Sequence, residues 1–252
     1  MSLTQEIHDT IDLLKQTDIY GCITGSSMIP DVNFDEWESA PDIDVFVYYE
    51  PQLIDAMCLL MYKHGFEMMS AGEEWKRDRV RTRGSHKKEI LQTVKLRKGD
   101  VIVNITYKPG KNKLTDVLSS FDMSIIMIGY DIRKKITVDL RQAWPGMVPS
   151  DELHRWSTST KVAVPNPLRD QDVDMYGVAM WVRQFDRVIK YWNREFDTRP
   201  MARFYIELID GVIERGRLFD TERSIESYDE FYNTYMPLRD KMVQWLNDKE
   251  EC

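Results

Sequence analysis

Hydrophobic positions recur with helical spacing at the start of the chain, where Leu3, Ile7, Ile11 and Leu14 fall three and four residues apart behind the capping candidates Ser2 and Thr4. An amphipathic helix is expected there. A strand follows at about Ile19 to Thr24, broken by Gly25-Ser26-Ser27. A polar stretch to Pro41 reads as a loop or short helix. Asp42 to Tyr49 is short, β-branched and aromatic, a second strand. Glu50-Pro51 then opens a helix that Gly65 closes.

Two β-patterned runs, Ile90 to Arg97 and Val101 to Tyr107, flank Gly99-Asp100 and predict a hairpin. Lys111 to Ser120 reads as a short helix, Phe121 to Tyr130 as a strand, and Ile136 to Leu140 as its partner. From about Asp172 onward the pattern is helical. Trp181, Phe185, Val188 and Trp192 form a core face, while Arg183, Arg187, Lys190 and Arg194 fall almost opposite as a solvated stripe. Further helices are expected around Arg203 to Arg215, Ser224 to Tyr235 and Pro237 to Asp248. The pattern predicts an α+β fold, a mixed sheet with flanking helices (residues 1–165) followed by a helical C-terminal domain (166–252).

Composition is that of an ordinary globular chain, with no run of apolar residues long enough to span a bilayer and no apolar signal core, so a soluble cytoplasmic protein is expected. Cys22, Cys58 and Cys252 lack paired or metal-ligand spacing. A net charge of −8 argues against wholesale wrapping of nucleic acid. Between Lys76 and Lys98, however, ten Lys or Arg stand against only Asp78 and Glu89. That contrast points to an anionic partner held at one place.

Chemistry concentrates in the second strand. Asp42 and Asp44, at i and i+2, share one face of a strand whose other residues are apolar, and a divalent cation is what would offset their repulsion. Oxygen ligands suit Mg²⁺ or Mn²⁺. One strand upstream, Gly25 lets the backbone approach a phosphate and Ser26 and Ser27 can donate to it. The two pieces supply the phosphate and metal halves of one reaction.

TGSS followed by PDIDVFV resembles the polymerase-beta-like nucleotidyltransferase superfamily, whose signature is a strand, a Gly-Ser turn and Asp-x-Asp on the next strand. A tryptophan before DIDVFV, the segment SFDMSIIMIGYD and the segment RVIKYWNREF are similar to nucleotidyltransferase-like proteins of large viruses and phages, which would place the chain in a host cytoplasm. The resemblance implies an NTP donor and Mg²⁺, with Gly25 and Ser26 on the triphosphate and Asp42 and Asp44 on metal. It also makes Lys190 a candidate nucleotide contact. The acceptor would be an RNA end, a protein or a small molecule, with the basic segment Lys76 to Lys98 as a route to RNA or protein.

The sequence departs from the signature at two places. Fifteen residues separate Ser26 from Asp42, and Val103-Asn104-Ile105 stands where apolar-Asp-apolar is expected. Asn104 can offer an amide oxygen but no charge. Asp122 is the rival for the third metal-binding and catalytic carboxylate. The alternative function is a nucleotidyltransferase fold that binds a nucleotide or regulates a partner without turnover.

Overall fold

The computed structural model describes residues 2–75, 90–141, 161–166, 178, 181–182, 184–216 and 222–250. Most of the basic window, residues 76–89, and Arg183 lie outside these. The chain divides into two compact units, Met1–Phe121 with Ile125–Gly146, and Asp122–Ser124 with Met147–Cys252.

The first unit is built on a seven-stranded mixed sheet. Helix α1 (Leu3–Lys15) begins where expected, with the Ser2 hydroxyl accepting from Gln5 N at 3.3 Å, and it buries Ile7, Ile11 and Leu14. β1 (Gly21–Thr24) and β2 (Ile43–Val47) run antiparallel, with Thr24 opposite Asp44. α2 (Pro51–Cys58) runs into a π-helical turn that ends at Gly65, whose φ of 70° no β-branched residue would tolerate. β3 (Glu67–Trp75), β4 (Ile90–Lys98) and β5 (Val101–Tyr107) follow. Next come α3 (Leu114–Leu118), β6 (Ile128–Asp131) and β7 (Ile136–Asp139).

Strand order is β3-β4-β5-β2-β1-β6-β7, and β2 pairs with β5 in parallel while the other pairs are antiparallel. Alternation along the central strands divides the sheet into two faces. Ile43, Val45, Val47, Val103 and Ile105 join α1 and α2 in the main core. On the other face Cys22 and Phe46 pack with Leu114, Val117 and Leu118 of α3. Asp44 alternates with Ile43 and Val45 and so belongs to this second face.

The first unit departs from the sequence pattern at two places. The edge strand β3 was not predicted, because Glu67, Ser70, Gly72, Glu73 and Glu74 give it neither alternation nor high β-propensity; it forms by pairing with β4. The run Phe121 to Tyr130 is not one strand. Ser124–Ile126 is a 3-10 turn and only Ile128–Asp131 enters the sheet, because Met123 and Ser124 pair instead with Pro165 and Val164 of the second unit. An apolar run buried on all sides has no periodicity to separate these outcomes.

The second unit contains α4 (Phe185–Trp192), α5 (Arg199–Gly216) and α6 (Glu222–Glu250). Pro237 sits inside α6, so the two helices expected on either side of it are one. The missing N–H forfeits a single backbone bond. Nearby, Phe231, Met242 and Leu246 are buried, and the Arg239 guanidinium grips both oxygens of Asp210 on α5 at 2.5 and 3.0 Å. The arginine stripe is also corrected. Arg194 is 6% exposed, and Arg187 donates to Asp122 Oδ1 at 2.7 Å, because this unit buries the Asp122 carboxylate and must neutralise it.

Candidate functional site

Asp42 directly precedes β2 and Asp44 is its second residue, so both lie at the strand end facing the Gly25 turn. The side-chain amide of Asn104, opposite Asp44 on the parallel neighbour β5, donates to Asp42 Oδ2 at 2.9 Å and to Asp44 Oδ1 at 3.1 Å. One nitrogen therefore bridges the two carboxylates. The same register puts Lys95 of β4 opposite Asn104, and its ammonium stands 3.9 Å from Asp42 Oδ2. A row of Thr24, Asp44, Asn104 and Lys95 crosses four strands on one face.

The glycine turn closes against this row. Gly25 adopts φ 86° and ψ −165°, a conformation natural to glycine, and caps the 3-10 turn Ser26–Met28. A Cβ at Gly25 would lie 2.6 Å from Asp44 Oδ2. Only a residue without a side chain leaves the carboxylate its place. Ser26 and Ser27 are buried, and Ser27 Oγ reaches Thr24 O at 3.5 Å. The fifteen-residue connection onward is tied to α1, with Asp35 Oδ1 accepting from Leu3 N at 2.7 Å and Asn33 Oδ1 from Thr4 Oγ1 at 3.0 Å. Buried Phe34, edge-on to Trp37, anchors its middle.

The structure thus brings Gly25, Asp42, Asp44 and Asn104 together. Asp122 is 2% exposed in the second unit, outside any strand, with Oδ1 on Arg187 and Oδ2 buried without a hydrogen bond. Burial is the largest single influence and works against the Arg187 charge, but Asp122, Tyr191 and Tyr205 together outweigh it and hold the guanidinium pKa above its ordinary value. Lys190 is exposed on α4 in the same unit. Lys95 was visible in the sequence only as one charge in the basic window; its place beside Asp42 is set by the β4–β5 register, which the Gly99-Asp100 turn could have supplied.

Among the described residues no group of three or more His, Cys, Asp or Glu is placed to hold a metal. The donor set here is two carboxylates and an amide, which suits Mg²⁺, since that ion is commonly held by one or two carboxylates with substrate phosphates completing its shell. Asn104 Oδ1 is buried without a hydrogen bond, so an acceptor oxygen is held in reserve beside the carboxylates.

The fold and site define an α+β protein with a carboxylate pair and a glycine turn at one end of a mixed sheet. No known protein family and no curated protein matches the chain in sequence. Among solved structures it is similar to the Thermotoga maritima CCA-adding enzyme complexed with tRNA, at 12% identity and a TM-score of 0.46, covering 97% of this chain and 54% of that one. The chain thus spans about half the length of that enzyme. Among the described residues no helix is long and apolar enough to cross a membrane.

Proposed function

We propose that the chain is a metal-dependent nucleotidyltransferase that moves a nucleoside monophosphate from an NTP to a hydroxyl acceptor. The observation that supports this reading is the approach of the Gly25 turn to Asp44, while Asn104 gathers Asp42 and Asp44. A backbone turn open to phosphate and a carboxylate pair are what this transfer needs within one site.

Asp42 and Asp44 would hold Mg²⁺ or Mn²⁺, with Asn104 able to turn its amide and present Oδ1. The ion would acidify the attacking hydroxyl and offset the charge that develops on pyrophosphate. The Gly25-Ser26-Ser27 turn holds the triphosphate beside the carboxylates. The acceptor oxygen forms a bond to the α-phosphorus as the bond to the β-phosphate's bridging oxygen breaks; the hydroxyl proton passes to solvent or a carboxylate. Lys95 would neutralise a phosphate oxygen, and the basic segment Lys76 to Lys98, most of it outside the described residues, is the proposed contact for an RNA or protein acceptor. Lys190 remains a proposed nucleotide contact. Asp122, occupied by Arg187, serves the second unit in this reading.

A second reading is favoured by the same amide. Asn104 Nδ2 and Lys95 already satisfy the carboxylates, as expected of a fold that binds a nucleotide without turnover. Incubation with α-labelled NTPs, Mg²⁺ or Mn²⁺, and mixed RNA and protein separates the two. Label transferred by wild type, and lost in the Asp42→Ala, Asp44→Ala double variant and in Gly25→Ala, supports the enzyme. Metal-dependent NTP binding with no transfer supports the binder, and neither result rejects both.

A further inference from the structure

At the opposite end of the same strands lies a second cleft, of about 500 Å³, lined by Thr17, Asp18, Tyr20, Tyr49, Arg133 and Lys135 among others. Tyr20 precedes β1 and Tyr49 follows β2, whereas Gly25 follows β1 and Asp42 precedes β2. The five residue steps from Tyr20 to Gly25, roughly 16 Å of strand, therefore separate it from the Gly25 turn. Its volume suits one nucleotide-sized ligand.

The walls are built for a flat aromatic group with attached anions. Tyr20 and Tyr49 stack in parallel, 7° between planes and 5.3 Å between centroids, and Tyr49 is 52% exposed. The Arg133 guanidinium lies over the Tyr20 ring, 4.8 Å from its centroid. Arg133, Lys134 and Lys135 are successive exposed cations on the turn between β6 and β7. That turn is held in shape from below. Asp131, 2% exposed, accepts from Lys134 N at 2.8 Å through Oδ1 and from the Tyr48 hydroxyl at 3.1 Å through Oδ2, while its carbonyl accepts from Lys135 N at 2.9 Å. Lys135 Nζ also donates to the Lys15 carbonyl. A buried carboxylate is thus spent on fixing a cationic turn beside an exposed aromatic stack, a site formed before any ligand arrives.

We propose that this cleft binds an unpaired nucleotide of a single-stranded nucleic acid, its base stacked on Tyr49 and its flanking phosphates on the turn of Arg133 to Lys135. Stacked aromatics beside cations that track a backbone are the means by which single strands are held. Arg133 and Lys135 line the cleft and exposed Lys134 lies between them on the same turn, so the cations extend past the cleft, as the successive phosphates of a strand require. Asp18 repels phosphate but accepts from an exocyclic amine, so a base edge belongs beside it, and adenine is preferred to uracil. The inference goes beyond the transfer reaction and stands whether or not that reaction occurs.

Fluorescence anisotropy of fluorescein-labelled hexa-adenylate with the full chain, in chelator and without NTP, tests it. Wild type binds saturably and more tightly than it binds hexa-uridylate. Tyr49→Ala weakens binding about tenfold, the worth of one stacked base, while Tyr49→Phe keeps it. Arg133→Gln weakens it and flattens its salt dependence. The Asp42→Ala, Asp44→Ala variant binds as wild type does, which separates this cleft from the site of transfer. Absence of saturable binding, equal affinities of the Ala and Phe variants, or competition by AMP as effective as that of the hexamer would overturn the proposal.

Discussion

At the scale of single residues, Asn104 decides how the carboxylate pair is held. Its amide gives two hydrogen bonds to charged acceptors where a carboxylate would give only repulsion. Asn104→Asp should therefore lose roughly 2 kcal/mol of stability in chelator, through lost hydrogen bonds and added like charge. Millimolar Mg²⁺ should return that loss and raise Tm by more than it does in wild type, since a third carboxylate adds a charged ligand and tightens binding of the cation to the folded state. Thermal unfolding with and without Mg²⁺ reads both effects. Equal metal-induced shifts in the two proteins would mean that residue 104 does not reach the cation, and no shift in either that no cation sits between these side chains. The carboxylate pair and the glycine were legible in the sequence because i, i+2 spacing and a Gly-Ser break are local. The pairing of Asn104 with both acids depends on the β2–β5 register, which only the assembled sheet supplies, whereas the Gly99-Asp100 hairpin could have set Lys95 opposite Asn104.

Among the elements, those with local punctuation were readable. α1 carries its own cap and period, and the β4–β5 hairpin carries Gly99 at φ 60° in its turn. β3 was hidden because its stability comes from a neighbour, and α6 because packing against α5 overrode Pro237. The β1, β2 and β6 ends meet in a buried group of Cys22, Tyr48 and Asp131 that no spacing announces. Burial pushes the Cys22 thiol up to about 12, with nearby Asp131 adding to the shift and the hydrogen bond with Tyr48 opposing it. The folded state thus keeps a proton that the unfolded chain releases near 9. Stability from this thiol is complete below that pH and is lost as pH rises toward about 12. The wild type should lose up to about 1.4 kcal/mol per pH unit more than Cys22→Ala across that window. Urea midpoints at pH 8 and pH 10 compare them, and parallel curves would show that the thiol titrates normally.

For the molecule as a whole, the question is which part of the chain the carboxylate site requires. Every strand of the seven-stranded sheet, both of its packed faces, and Gly25, Asp42, Asp44, Asn104 and Lys95 fall within residues 2–141, and only Asp122–Ser124 of that span belongs to the second unit. Those three residues lose their pairings when the second unit is removed, Ser124 with Val164, Met123 with Pro165, and Asp122 with Asn166 and Arg187, but none of these pairings holds a strand of the sheet. A chain of residues 1–146 should therefore fold cooperatively, with Arg187 no longer present and the Asp122 carboxylate released to water. It should bind Mg²⁺ within a few-fold of the full chain, because every proposed ligand is retained. An Asp122→Asn form of the fragment should match it in both respects. Calorimetric metal titration, together with a urea transition followed by tryptophan fluorescence, measures the outcome. A folded fragment that bound Mg²⁺ while its Asp122→Asn form did not would restore Asp122 to the site, and loss of affinity in both would move a ligand beyond residue 146, whereas equal retained affinity would locate the whole donor set on the sheet.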